Sequence, residues 1–211
     1  MTLKPRQDAC PIDALLPELC ARFRPGRTLL LQAPPGAGKT TRVPLALIGA
    51  LGDQVRRDGR IWMIEPRRLA ARAAAARLAS SLEEPVGQRI GFAVRGEQRR
   101  SARTQVEVIT DGLFLRRLQA DPSLDGVSCV LFDEFHERRR DADLAFALLR
   151  EAAPLLRPDL SLMLMSATLD ITDLRSRLPE ATVLTSEGRA HPVDTLHQPP
   201  RADEPLPQQV L

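Results

Sequence analysis

The chain has 211 residues, of which 43% are hydrophobic and 27% charged, a composition that can bury one substantial core and excludes disorder along its whole length. Its formal net charge is +3, with arginine supplying nearly all the positive charge, which permits contact with a phosphate backbone but does not require it, since a GC-rich coding bias also explains the arginines. Cys10, Cys20 and Cys129 show no C-x-x-C spacing and His136, His191 and His197 no ligand spacing, and no apolar stretch approaches the roughly 20 residues that span a bilayer, so a cytoplasmic protein without disulfide framework, zinc site or membrane contact is expected.

In chain order, residues 1–27 form an N-terminal extension in which Ile12 to Phe23 reads as a helix outside the main core. Short apolar runs follow at Thr28 to Gln32, Ile61 to Ile64, Val106 to Ile109, Val127 to Phe132, Leu160 to Met165 and Thr182 to Leu184. Helical patterns begin between them near Lys39, Arg67, Gly112, Asp141 and Ile171, and the alanine- and arginine-rich stretch from Arg67 to Leu82 ends at Pro85 and Gly87. An arm around Gln88 to Gln98 fits a further strand or hairpin. Alternation of this kind predicts an α/β fold over residues 28–187, a mostly parallel sheet with helices on both faces. The Pro-rich stretch 188–211 reads as a linker.

The strongest local signal is Ala33-Pro34-Pro35-Gly36-Ala37-Gly38-Lys39-Thr40, lying between an apolar run and a helical one, the context of a phosphate-binding loop. Pro35, Gly36, Ala37 and Gly38 let backbone N–H groups turn inward, and the following helix N-terminus adds partial positive charge. Lys39 reaches the β- and γ-phosphates, Thr40 offers its hydroxyl to Mg²⁺, and Thr41 completes the contacting set. Ala33 stands where the usual pattern has Gly, which requires an ordinary φ angle there.

Downstream, Val127 to Phe132 runs into Asp133-Glu134-Phe135-His136-Glu137. Two carboxylates at a strand's carboxyl end suit phosphoryl transfer to water: Asp133 holds Mg²⁺ and Glu134 deprotonates the attacking water. Ser166-Ala167-Thr168 follows Leu160 to Met165, so all three motifs should share one edge of the sheet.

These motifs, with Glu65-Pro66-Arg67-Arg68 and Thr110-Asp111-Gly112, resemble the DEAH-box helicases of superfamily two, most closely their bacterial HrpB-type branch, from about Leu29 onward. The resemblance implies a RecA-like P-loop fold that uses Mg²⁺ and ATP, with other nucleotides accepted because Arg77 would stack on the base. It implies that Arg67, Arg68, Thr110 and Asp111 contact the backbone of single-stranded RNA or DNA, joined by Arg95 in Gly91-Phe92-Ala93-Val94-Arg95. His136 would couple the γ-phosphate site to Ser166 and Thr168. Phe135 replaces the Ala of the family's name motif. Family members also carry a second RecA-like domain that supplies arginine fingers, and Gly188-Arg189-Ala190-His191-Pro192-Val193 resembles the segment leading into it. This stretch alone is therefore expected to bind nucleotide and hydrolyse it poorly.

A nucleotide-gated binding module without turnover is the alternative, and a P-loop enzyme of another class, such as a small-molecule kinase, is a third. With 3% aromatic residues and no tyrosine, a base-stacking platform for nucleic acid is not expected.

Overall fold

A computed structural model describes residues 9–57, 59–168 and 171–187. The stretch resembling the lead into a second domain, 188–193, and the Pro-rich end lie outside the described residues.

A 3-10 turn at Pro11–Ala14 and α1 (Leu16–Arg22) precede β1 (Thr28–Gln32) and α2 (Lys39–Arg57). Then come β2 (Arg60–Glu65), α3 (Arg68–Ser81), β3 (Ile90–Val94), β4 (Glu97–Arg99), β5 (Val106–Thr110) and α4 (Asp111–Ala120). The chain continues through β6 (Val127–Phe132), a 3-10 turn at Phe135–Glu137, α5 (Arg140–Leu156), β7 (Ser161–Ser166), α6 (Ile171–Arg177) and β8 (Thr182–Thr185). One eight-stranded sheet results, in the order β4-β3-β5-β2-β6-β7-β1-β8. Every pairing is parallel except that of β3 with β4. The expected α/β architecture is the observed one.

Alternation along each strand divides the core into two layers, because successive strand side chains point to opposite faces. Leu29 and Leu31 of β1 and Ile61 and Met63 of β2 pack with Leu19 of α1, Val43 and Leu47 of α2, and Ala75 and Leu78 of α3. Leu30, Trp62 and Ile64 face the other way, toward Phe114 of α4, Phe146 and Leu149 of α5, and Leu174 of α6. Strands β3, β5, β6 and β7 are buried at every position, as parallel strands covered on both faces must be. Trp62, Phe114, Phe132, Phe135 and Phe146 form an edge-to-face chain through the second layer.

The arm around Gln88 to Gln98 is the antiparallel β3–β4 hairpin, closed by Arg95 and Gly96, whose φ of 81° supplies the left-handed turn residue. Glu107, fully buried in β5, is surrounded by Arg60, Arg100 and Arg117, so three of the arginines serve the interior rather than a ligand. Among the described residues no helix is long and apolar enough to cross a membrane.

Candidate nucleotide site and adjoining groove

Strand order brings the motifs together. Gln32 pairs with Ser166 across β1 and β7, Phe132 pairs with Ile64 and with Leu164, and Glu65 pairs with Thr110. Each motif follows its strand, so all five meet at the carboxyl edge, where parallel sheets bind ligands.

The loop from Ala33 to Thr40 folds as a phosphate cradle at the start of α2. Gly36 and Gly38 adopt φ of 75° and 98°, which side chains resist, whereas Ala33 is not among the positive-φ residues and is fully buried. The departure from Gly at that position is thus accommodated by backbone geometry. Lys39 Nζ donates to the carbonyls of Ala33 at 2.6 Å and Pro34 at 3.2 Å, folding back over its own loop. Thr41 lies in the first turn of α2, its hydroxyl donating to the Gly38 carbonyl. From behind, the Ile12 N–H donates to the Ala37 carbonyl at 3.1 Å, so the N-terminal segment braces the loop.

Thr40 Oγ1 donates to Asp133 Oδ2 at 2.6 Å, and Asp133 Oδ1 accepts the Glu134 N–H. Glu134 sits at φ 48°, a left-handed conformation uncommon outside glycine, and Arg138 at the far side of the Phe135–Glu137 turn does the same. Such strain persists where surrounding packing over-determines it, here the burial of Phe135 against Phe132 and Phe146. Burial and the adjacent Asp133 raise the Glu134 pKa, opposed by Lys39 and His136. His136 Nδ1 lies 3.3 Å from Glu134 Oε2. The hydroxyl of Ser166 accepts the Thr168 N–H, and no hydrogen bond joins His136 to either residue.

Sequence reasoning missed Glu65. It is buried at the end of β2, and its pKa is raised to about 9 by desolvation and then by the neighbouring Asp133. The signal available was its place one residue before Pro66-Arg67-Arg68; a lone glutamate at a strand end carries no distinguishing pattern. A cavity of about 320 Å³ is lined by Thr40, Glu65, Arg67, Ala73, Arg77 and Glu134, which sets Arg77 in the same cavity as Thr40 and Glu134.

The residues expected to face nucleic acid divide. Arg67 lines the cavity beside Thr40 and Glu134 and pairs with Glu137 at 3.3 Å. Arg68, Arg95, Thr110 and Asp111 line a different cavity of about 910 Å³ between the β3–β4 hairpin and the starts of α4 and α5. Arg68 donates to the Arg95 carbonyl at 3.0 Å, tying α3 to the hairpin. Asp111 accepts the Gly112 N–H and an Arg139 Nε–H.

A DEAD/DEAH box helicase family model matches residues 14–176. The chain is 47% identical over 189 residues to the ATP-dependent RNA helicase HrpB of Escherichia coli (strain K12), covering 90% of this chain and 23% of that protein. It is 32% identical over 193 residues to an ATP-dependent RNA helicase HrpA homolog of Haemophilus influenzae, covering 91% of this chain and 14% of that protein. The crystal structure of the E. coli DEAH/RHA helicase HrpB superposes with a TM-score of 0.83 at 45% identity over 93% of this chain and 25% of that one. A second crystal structure, of the E. coli DExH-box NTPase HrpB, gives 0.82 at 44% identity over 95% and 24%. The chain thus spans at most about a quarter of the length of these relatives. With the fold, the shared motif edge and these matches in agreement, the chain belongs to the DEAD/DEAH box helicase family.

Proposed function

We propose that the chain is the ATP-binding half of an ATP-dependent nucleic-acid helicase, in which hydrolysis drives strand movement once a second RecA-like domain closes the cleft. The observation that carries this reading is the convergence of Lys39, Thr40, Asp133 and Glu134 at one sheet edge, with Thr40 and Asp133 in direct hydrogen bond.

Lys39 leaves the Ala33 and Pro34 carbonyls to meet the β- and γ-phosphates, exchanging two neutral acceptors for charged ones. Thr40 and Asp133, a hydroxyl and a carboxylate at hydrogen-bond distance, fit a hard divalent cation and would hold Mg²⁺. Bound there, Mg²⁺ supplies neutralisation of developing phosphate charge. Glu134 takes the proton of the attacking water; its raised pKa makes it a stronger base than an exposed glutamate. His136, beside Glu134, relays the state of that site toward Ser166 and Thr168 after a local rearrangement. Arg77 packs on the nucleotide base, a contact to a π-face that admits several nucleotides.

The adjoining groove takes the backbone of single-stranded nucleic acid along Arg68, Arg95 and Thr110, with Arg67 joining after release from Glu137. The relatives' names favour RNA as the strand. A cytoplasmic protein is proposed. Alone, the chain binds MgATP and hydrolyses it slowly, since finger arginines are worth roughly 10³ to 10⁵ in rate and in this family come from the second domain.

Calorimetric titration with MgATP, and turnover with and without single-stranded RNA, test the reading on the native chain, Lys39→Ala and Glu134→Gln. Binding abolished in Lys39→Ala and retained in Glu134→Gln, with turnover low throughout, is expected. Brisk turnover that survives Glu134→Gln would overturn the assignment.

A further inference from the structure

Family resemblance sets Asp111 among the strand-contacting residues, yet a bare carboxylate facing a phosphate chain is repelled. Its carboxylate is otherwise committed. Asp111 is 5% exposed, with Oδ1 accepting the Gly112 N–H at 2.8 Å and Oδ2 accepting Nε–H of Arg139 at 2.6 Å.

Arg139 has the complementary properties. Its side chain is 43% exposed, and it lines the same groove as Arg68 and Arg95 from the N-cap of α5. A guanidinium carries five N–H donors in a rigid fork. The bond to Asp111 uses the Nε edge, and neither Nη has a partner among the described residues. A fork held from behind with its outer edge toward a groove suits bidentate recognition of a phosphate, because the rotamer entropy is spent before the ligand arrives.

The charges around it leave that edge positive. Six arginines and three carboxylates line the groove; Arg117 is spent on buried Glu107, and each lining carboxylate already has a cation: Glu97 has Arg72, Asp111 has Arg139 and Asp141 has Arg140. Glu137, two residues before Arg139, is paired with Arg67.

We propose that Arg139 is a phosphate-binding residue of this groove, and that Asp111 serves the nucleic acid only through Arg139, by fixing the guanidinium so that a single strand is held between it and the Arg68–Arg95 wall. The inference rests on the reading of the groove as a nucleic-acid site. It assigns the positioning role to Asp111 and the contact to a residue that no motif contains.

Fluorescence anisotropy of a labelled oligouridine, titrated with the full chain across a series of salt concentrations, separates the two levels. Arg139→Ala should weaken binding several-fold and flatten the plot of log affinity against log salt by about 0.7, one single-strand phosphate contact. Arg139→Lys, which keeps the charge and loses the fork, should keep the slope and lose part of the affinity. Asp111→Asn should weaken binding in the native background and add nothing in the Arg139→Ala background, with thermal melts reporting that each variant is folded. Unchanged affinity and slope in Arg139→Ala, while the native chain binds, would sink this inference alone, as would an Asp111→Asn loss of equal size in both backgrounds. A native chain with no salt-dependent binding would instead remove the nucleic-acid reading of the groove.

Discussion

Thr40 and Asp133, 93 residues apart in sequence, meet through a 2.6 Å hydrogen bond that joins the first turn of α2 to the end of β6. That contact tells the phosphate loop and the acidic motif from a helix cap and an acidic turn, which either would resemble alone. Thr40→Val keeps the side chain's shape and removes its hydroxyl. Affinity for a fluorescent ATP analogue should fall about tenfold in Mg²⁺, a change of ~1.4 kcal/mol, and change little in EDTA. Equal losses in both buffers would show that Thr40 serves the loop's shape instead.

Glu65 makes stability depend on pH. In the fold its pKa is raised to about 9, against an ordinary value of 4.5, so the folded chain holds more protons than the unfolded one between those values. Its contribution is therefore fully present below about pH 4.5 and is lost as pH rises toward 9. Glu65→Gln stays neutral and escapes that loss. In metal-free buffer the melting temperature of the native chain should fall relative to Glu65→Gln as pH is raised from about 5 to about 8.5; a constant difference would mean that Glu65 is not held protonated by burial and Asp133.

Phe135 takes the name motif's Ala position and acts as an anchor. Its ring centroid lies 6.0 Å from that of Phe132 and 5.4 Å from that of Phe146, beneath the turn whose flanks, Glu134 and Arg138, are both left-handed. Phe135→Ala should cost about 3 kcal/mol in chemical denaturation, by analogy with other buried Phe truncations. A loss below about 1 kcal/mol would show that the strained turn is held by something else.

Gly91 keeps the β3–β4 hairpin close. A Cβ there would stand 2.7 Å from the Arg99 carbonyl oxygen and 3.1 Å from both Arg100 Cβ and Thr104 Cγ2. Gly91→Ala should push β4 outward, lower stability by about 1–3 kcal/mol and weaken oligonucleotide binding while MgATP binding persists. Loss of both ligands together would place the effect on global folding rather than on the groove wall.

Much of this protein was legible in its sequence because the determinants are local. Apolar runs of strand length located six strands, and Gly36, Gly38, Lys39 and Thr40 declared the phosphate loop through spacing alone, since a loop that wraps a phosphate draws its groups from consecutive residues. The arm around Gln88 to Gln98 fits a strand or a hairpin equally well in sequence, because β3 is fixed by parallel pairing with β5, as Ile90 with Val106, 16 residues on. Arginine roles were the least legible. Arg157 donates to the carbonyls of Ser123, Leu124 and Val127, Arg117 packs over Trp62 and pairs with Glu107, Arg67 turns to Glu137, and Arg139 is held by Asp111. A guanidinium on a long side chain takes whatever acceptor the fold brings within reach, and nothing in its sequence neighbours records that acceptor. Glu65 is the same case with the sign reversed: a carboxylate at a strand end becomes part of a buried acidic cluster only because β2 and β6 lie side by side. The chain's sequence by itself determined the class of fold and the nucleotide loop, through short-range pattern; which charges face ligand and which are spent on each other was decided by strand order, because electrostatic partners are chosen by distance in space.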